Sequence, residues 1–201
     1  MSDAKARLDR VYQAADPLQL RESYEAWAAH YDSDLVGQMG WDKPERVGRA
    51  LLDLTGPGAR ILDAGSGTGL VGLFLSTQGY QDITGVDFSE AMIEQARRRG
   101  VYRELLRLDL NQDLPLPTDH FDAAVAVGIF TEGHVNSSCL IELVRVVRPA
   151  GYILFSLRDD LLHFESVQAE LNAWSLVERK RIGDGLEGRA WSIWIYQKVS
   201  S

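Results

Sequence analysis

The sequence predicts an α/β protein: a mostly parallel, doubly wound sheet with helices on both faces and an antiparallel strand near the C-terminus. Three observations carry that expectation. Short apolar runs alternate with segments of helical spacing from about residue 59 to residue 158. The first of these runs opens into a glycine-rich loop, "LDAGSGTGLVG", at residues 62–72. Near the end, two extended runs flank a Gly-rich connection and read as a hairpin. The chain has 201 residues, 45% of them hydrophobic, enough for one domain with a substantial core. No repeat or Pro/Ser-rich linker divides it.

Taken in order, the first 16 residues are polar and are expected to be partly mobile. Leu20, Tyr24, Trp27 and Tyr31 then fall at i, i+4, i+7 and i+11, one stripe of a helix. Asp42 and Pro44 suit a cap and a first turn. Val47, Ala50, Leu51 and Leu54 form the stripe of the helix that follows, and "GPG" at 56–58 stops it. "ARILDA" is a short buried strand, "GLVGLFLSTQ" a helix closed by Gly79, and "DITGVD" a second strand. "SEAMIEQARRR" is a helix with Ser89 as N-cap and Gly100 after its end. Arg97, Arg98 and Arg99 suit the negative end of its dipole. A third strand is expected near 104–108 and a fourth near 122–127. "NSSCLIELVRVVR" is a helix stopped by Pro149, and "GYILFSLR" is a fifth strand. A helix near 161–172 leads to "SLVERKRI" and "RAWSIWIYQK", joined by "GDGLEG". Alternation of strand and helix implies right-handed crossovers and a parallel sheet; the hairpin reverses one strand.

A net charge of −8 repels a polyanion on average, which argues against nucleic acid as partner. Cys139 is the only cysteine, so an internal disulfide, a Cys-rich zinc site and a CxxC pair are excluded, and no metal site is expected. Its apolar setting, "CLIELV", suits a buried, inert thiol. The N-terminal segment has no signal-type apolar core, and the longest apolar run, residues 123–130, is too short to span a bilayer. A cytoplasmic protein is expected, without membrane attachment.

The glycine loop admits two registers. Gly67, Gly69 and Gly72 spell the G-x-G-x-x-G of a dinucleotide site; Asp63, Gly65, Gly67 and Gly69 spell D-x-G-x-G-x-G. The preceding strand favours the second. Were Gly67 the turn glycine, "DAGSG" would have to be extended and buried, and those residues are poor strand formers. Gly72 then falls inside the helix, where a missing side chain allows close packing. Charge agrees: a carboxylate at Asp63 is unfavourable beside a pyrophosphate and favourable beside an ammonium or sulfonium. S-adenosylmethionine carries both and has no phosphate. Asp87 ends the second strand, where a carboxylate can accept from both ribose hydroxyls, as in nicotinamide sites also. Asp109 follows the third strand and can accept from an adenine amine or simply cap its loop. All three lie at carboxyl ends of expected strands, the edge where open α/β sheets bind ligands.

"ILDAGSGTG", "GVDFSEAMIEQAR", "LDL", "FDAAVAVG" and "ELVRVVRPAGYILFS", in this order and spacing, resemble the successive motifs of class I S-adenosylmethionine-dependent methyltransferases. The likeness covers residues 17–198. The glycine loop, "SEAM", "VGIFTEGHV" and "RPAGYILFS" are most similar to the methyltransferase-like proteins of the Williams–Beuren region and their bacterial relatives. The resemblance implies a Rossmann-like sheet of seven strands and a lid segment at about 17–45 ahead of a core at about 46–198. It implies S-adenosylmethionine as cofactor and S-adenosylhomocysteine as product. Asp63, Gly65, Gly67 and Gly69 would hold the methionine end; Asp87 the ribose, with Phe88 near the adenine; Asp109 and Leu110 the base; Gly128 and Ile129 would lie beside the methyl group; Ser66, Thr68 and Met92 would also contact the cofactor. Tyr24, Trp27 and Tyr31 belong either to a lid or to ordinary helix packing. Ala150 departs from the family, which usually has glycine there; a turn is affected and not chemistry. An Asn/Asp-Pro-Pro-aromatic element is absent after the fourth strand, which argues against exocyclic nucleobase amines as acceptors.

Methyl transfer from a sulfonium is an in-line displacement, so alignment can supply much of the acceleration. A general base is needed only for a protonated acceptor. Glu132 and His134 are the candidates, with a solvated loop or a helix cap as the alternative. Connections after the fourth and fifth strands are short, so a small organic acceptor is expected, with Trp41 either lining its pocket or packing in the core. Two other functions remain open on the sequence: an NAD-dependent oxidoreductase using the other register, and a cofactor-binding protein that transfers nothing.

Overall fold

The protein is described by a computed structural model covering residues 2–130, 139–159, 174–184 and 190–199. Seven strands make one sheet: β1 (Ile61–Ala64), β2 (Ile83–Asp87), β3 (Glu104–Arg107), β4 (Phe121–Phe130), β5 (Val147–Arg158), β6 (Trp174–Asp184) and β7 (Ala190–Lys198). Their order is β3-β2-β1-β4-β5-β7-β6. The pairs from β3 to β5 are parallel, and β7 runs antiparallel to both β5 and β6. The order reverses between β1 and β4, so the crevice at their carboxyl ends is the topological switch point.

The helices are α1 (Asp3–Tyr12), α2 (Pro17–Trp27), α3 (Lys43–Leu52), α4 (Leu70–Thr77), α5 (Glu90–Arg99) and α6 (Cys139–Val146), with a π-helical turn at Ser33–Gln38. Both sheet faces are covered, which is why β1 and β2 are buried at every position and read as apolar runs without alternation. On one face Val47, Ala50 and Leu51 of α3 and Val71 and Leu75 of α4 pack on Ile61, Ile83, Ala123 and Val125. On the other, Leu140, Leu143 and Val146 of α6 pack on Leu62, Ala124, Ala126 and Phe155. Cys139 sits in that second layer, and burial pushes its thiol up to about 12, consistent with an inert side chain.

Ser89 caps α5 by accepting from the Met92 amide at 3.2 Å, and Gly100 closes it at φ +66°. The N-terminus departs from expectation. Residues 3–12 form a helix, because Ala4, Leu8 and Val11 recur at i, i+4 and i+7 and bury themselves; Leu8 and Val11 pack with Leu20 and Trp27. Three apolar residues among charged neighbours suffice once a second helix covers them. Pro149 is not the helix stop either. The helix α6 ends at Val146, because Val147 already pairs with Phe121 of β4, and Pro149 lies within β5, in the irregular stretch between the Val147 and Tyr152 pairings. The expected helix at 161–172 and the centre of the hairpin connection lie outside the described residues. Among those described, no helix is long and apolar enough to cross a membrane.

Candidate functional site

The loop between β1 and α4 settles the register. Gly65, Gly67 and Gly69 have φ of +76°, +53° and +89°, conformations that L side chains rarely adopt, whereas Gly72 lies within α4. Gly72 has a separate reason to lack a side chain. A Cβ there would lie 2.3 Å from Tyr102 Cζ, and its amide donates to the Tyr102 hydroxyl at 3.2 Å. The close packing at Gly72, expected to be on the sheet, is instead against the Tyr102 ring. That hydroxyl in turn donates to Asp63 Oδ2 at 2.6 Å.

Four strand ends converge on one cavity. Its walls are Gly65 and Gly67 after β1, Asp87, Phe88 and Met92 from the end of β2 to α5, Leu108–Asn111 after β3, and Val127–Ile129 in β4. Pro17, Leu20, Tyr24 and Tyr31 close it from the N-terminal segment. Among the expected cofactor residues, Tyr24, Tyr31, Gly65, Gly67, Asp87, Phe88, Met92, Asp109, Leu110, Gly128 and Ile129 line this cavity. Asp63, Ser66, Thr68, Gly69 and Trp27 do not. Pro17, Leu20, Leu108, Asn111 and Val127 are lining residues absent from the expected set; the neighbours of Asp109 and Gly128 could have been inferred from the segment each occupies.

Asp87 is held on both oxygens: Oδ2 accepts from the Gly67 amide and Oδ1 from the Ser89 amide, each at 2.9 Å. It thus joins the glycine loop to the β2–α5 turn, while each oxygen keeps acceptor capacity. Burial pushes its carboxyl up to about 6, against these hydrogen bonds. Asp63, 1% exposed, is pushed by burial up to about 7, against the Tyr102 hydrogen bond and with the Asp87 charge adding to the rise. Asp63 Oδ1 and Ser66 Oγ are buried with no hydrogen-bond partner among the described residues. Two orphaned polar atoms beside a left-handed glycine loop fit a polar ligand head that donates to one and meets the other. Asp109 Oδ1 accepts from the Asn111 amide at 2.9 Å, so the loop-capping role is real, and the residue also faces the cavity.

The aromatic stripe divides. Tyr24 meets Phe88 edge-on at 5.9 Å, and Tyr31 meets Trp41 edge-on at 6.1 Å, roofing the cavity. Trp27 turns away: its indole donates to Asp34 Oδ2 at 2.8 Å, a buried carboxylate that also accepts from Arg7 and Gln38. Trp27 packs in the core, while Tyr24 and Tyr31 line the cavity. Two contacts fasten this segment. Glu25 accepts from the Glu90 and Ala91 amides at 2.9 Å each, capping α5 from a distance. Asp32 takes the Thr68 hydroxyl at 2.5 Å and pairs with Arg99, whose Nε donates to the Thr68 carbonyl. Arg99 thus does more than complement a helix dipole.

Ile129 packs on the glycine loop, since a Cβ at Gly65 would lie 2.2 Å from its Cγ2. Gly128 has φ +74° and donates to Ser156 Oγ at 2.9 Å; its Cα faces the Trp41 ring. Trp41 therefore sits between Tyr31 and the end of β4. Glu132 and His134, the candidate bases, lie outside the described residues.

Comparison with known proteins agrees with this geometry. A methyltransferase-domain family model matches residues 62–155. Methyltransferase-like protein 27 of Homo sapiens is 32% identical over 200 residues, covering 96% of this chain and 79% of that protein. Demethylmenaquinone methyltransferase of Symbiobacterium thermophilum is 33% identical over 141 residues, covering 66% of this chain and 56% of that protein. In structure, a TehB-like S-adenosylmethionine-dependent methyltransferase from Corynebacterium glutamicum superposes with a TM-score of 0.67 at 20% identity, covering 88% and 99% of the two chains. The phosphate-free glycine register, the switch-point cavity and these relatives converge: the chain belongs to the class I S-adenosylmethionine-dependent methyltransferases.

Proposed function

We propose that this chain methylates a small organic acceptor held at the carboxyl ends of β4 and β5, beside the cofactor cavity. When bound, S-adenosylmethionine supplies an electrophilic methyl group on its sulfonium. The chain's own residues then have distinct tasks. Asp63, Ser66 and the amides of the glycine loop receive the methionine end. Asp87 accepts from the ribose hydroxyls while bracing Gly67. Phe88, Met92, Leu108, Asp109 and Leu110 enclose the base. Tyr24 and Tyr31 cover it; burial pushes both phenols up, so they stay neutral donors. Gly128 and Ile129 shape the space for the methyl group, and Trp27, Thr68 and Gly69 hold the frame. A protonated acceptor would need a base, for which Glu132 and His134 stand as candidates.

The observation that carries this reading is the convergence of four successive strand ends on one cavity, with Asp87 and Asp109 in its wall and Asp63 directly beneath the loop. The net charge of −8 supports a small acceptor over nucleic acid. The likeness to a demethylmenaquinone methyltransferase is compatible with that choice. The test is incubation with methyl-labelled S-adenosylmethionine and a cell extract separated into low-mass, RNA and protein fractions. Label in the low-mass fraction is expected. Label confined to RNA or protein overturns the small acceptor. No label in any fraction, with S-adenosylhomocysteine still bound, overturns catalysis.

A further inference from the structure

A second polar cluster lies beyond Trp41, at the carboxyl end of β5. Lys43, the first residue of α3, is 3% exposed. Its ammonium lies over the face of Trp191, the residue of β7 that pairs with Arg158 at the end of β5. Among the described residues no oxygen accepts a hydrogen bond from it. Its neighbour Asp42 is engaged elsewhere, pairing with Arg46 at 2.7 Å. Trp191 Nε1 is likewise buried with no acceptor among the described residues. Arg158, 7% exposed and engaged in contacts of its own, adds positive charge nearby.

This is an expensive arrangement. A buried ammonium without an acidic partner costs several kcal/mol relative to an apolar side chain of the same shape, and a cation–π contact recovers about 2. Burial draws the Lys43 amine down to about 6, Asp42 opposing and Arg158 adding to the fall, so near neutrality it rests mostly as the free amine and would take up a proton when an anion arrives. A chain selected for packing alone would place methionine or leucine here. The cluster shares the carboxyl edge of the sheet with the cavity, since Phe130 at the end of β4 pairs with Leu157 of β5 and the next residue, Arg158, pairs with Trp191.

We infer that the methyl acceptor carries an anionic group, a carboxylate or a phosphate, received by the Lys43 ammonium and the Trp191 indole N–H. The inference rests on the methyltransferase reading for the word acceptor; the anion site itself does not. An arriving oxyanion would supply the missing partner to both donors, and Arg158 would raise the local potential.

The test uses full-length protein saturated with S-adenosylhomocysteine and matched probes: benzoate against benzamide, succinate against succinamide, phenyl phosphate against phenol. At least one anion should raise the melting temperature above its neutral counterpart, and the carboxylate and phosphate arms separate the two chemistries. Lys43→Met should abolish that difference, Lys43→Arg should retain it, and Lys43→Met without probe should melt no lower than the parent. A merely structural lysine would instead melt lower as methionine. Lys43→Gln, which keeps donors without charge, serves if the methionine variant fails to fold. No anion outperforming its neutral partner, or Lys43→Met preserving the difference, overturns the site. In parallel, extract separated by anion exchange is offered with labelled S-adenosylmethionine; label should enter the retained fraction and fall about tenfold or more in Lys43→Met. Label in the unretained fraction alone overturns the inference and leaves the transferase reading standing. A Lys43-dependent anion effect with no label anywhere leaves the anion site and removes the transfer.

Discussion

Replacing Asp63 by Asn removes a charge while keeping shape and an oxygen for the Tyr102 hydroxyl. In the parent protein burial holds this carboxyl at about 7, so near neutrality it is half protonated before ligand arrives. An ammonium-bearing ligand favours the ionised form, so its binding must release that proton. The ionised fraction rises from about 3% near pH 5.5 to about half near pH 7, and affinity for S-adenosylhomocysteine should climb about tenfold over that interval. Asp87, held at about 6, contributes in the same direction. Asp63→Asn should flatten most of the rise. Near pH 7 the variant should bind about tenfold or more weakly, the range of one charge-assisted hydrogen bond. Calorimetry in buffers of differing ionisation enthalpy measures both the affinity and the protons released. The free protein supplies a control of opposite sign. A carboxyl raised above its unfolded value keeps a proton that the unfolded chain has lost. Asp63's share of stability therefore falls as pH rises from about 4 to about 7, by about 1.4 kcal/mol for each pH step of one across that window, and Asn should remove that share while leaving the part Asp87 contributes up to about pH 6. An affinity that is flat with pH, no proton release, or undiminished binding by Asp63→Asn would refute the electrostatic reasoning.

Tyr102→Phe removes the donor that restrains the Asp63 rise, so the midpoint of the same affinity profile should move to higher pH; a midpoint moving down contradicts the contact. Ala150 has φ +60°, a conformation that costs a non-glycine residue about 1–2 kcal/mol, and Ala150→Gly should stabilise by about 0.5–1 kcal/mol after the added freedom of the unfolded chain. Urea denaturation measures this, and a loss of stability would show that the turn does not hold the strain. Glu25→Gln weakens the carboxylate cap on the α5 amides by about 1 kcal/mol, and hydrogen exchange should reveal lost protection in α2 with β1 and β4 unchanged. Uniform loss across the sheet would make Glu25 a general stability residue.

The glycine register was legible because it depends on backbone sterics: three of the four glycines need left-handed φ and the fourth needs room for a ring. Strand ends were legible too, since buried parallel strands are apolar throughout and the carboxylates mark where they stop. Long-range partners were not. Nothing local distinguishes Trp27 from Tyr24 and Tyr31 on one helical stripe; the buried Asp34 beyond the helix decides it. The Arg99–Asp32 pair joins residues 67 apart, and Glu25 caps a helix 65 residues away. Tyr102 lies in a loop with no motif, yet it ties Gly72 to Asp63. Lys43 read only as the start of a helix, because its setting is made by β5 and β7.

The most direct measurement is a crystal structure of the chain grown with S-adenosylhomocysteine. The account predicts its amino-acid end against residues 63–69, its ribose hydroxyls on Asp87 and its sulfur facing Gly128. A ligand bound through phosphate oxygens across the amides of 67–72, obtained with a nicotinamide dinucleotide and not with S-adenosylhomocysteine, would contradict it.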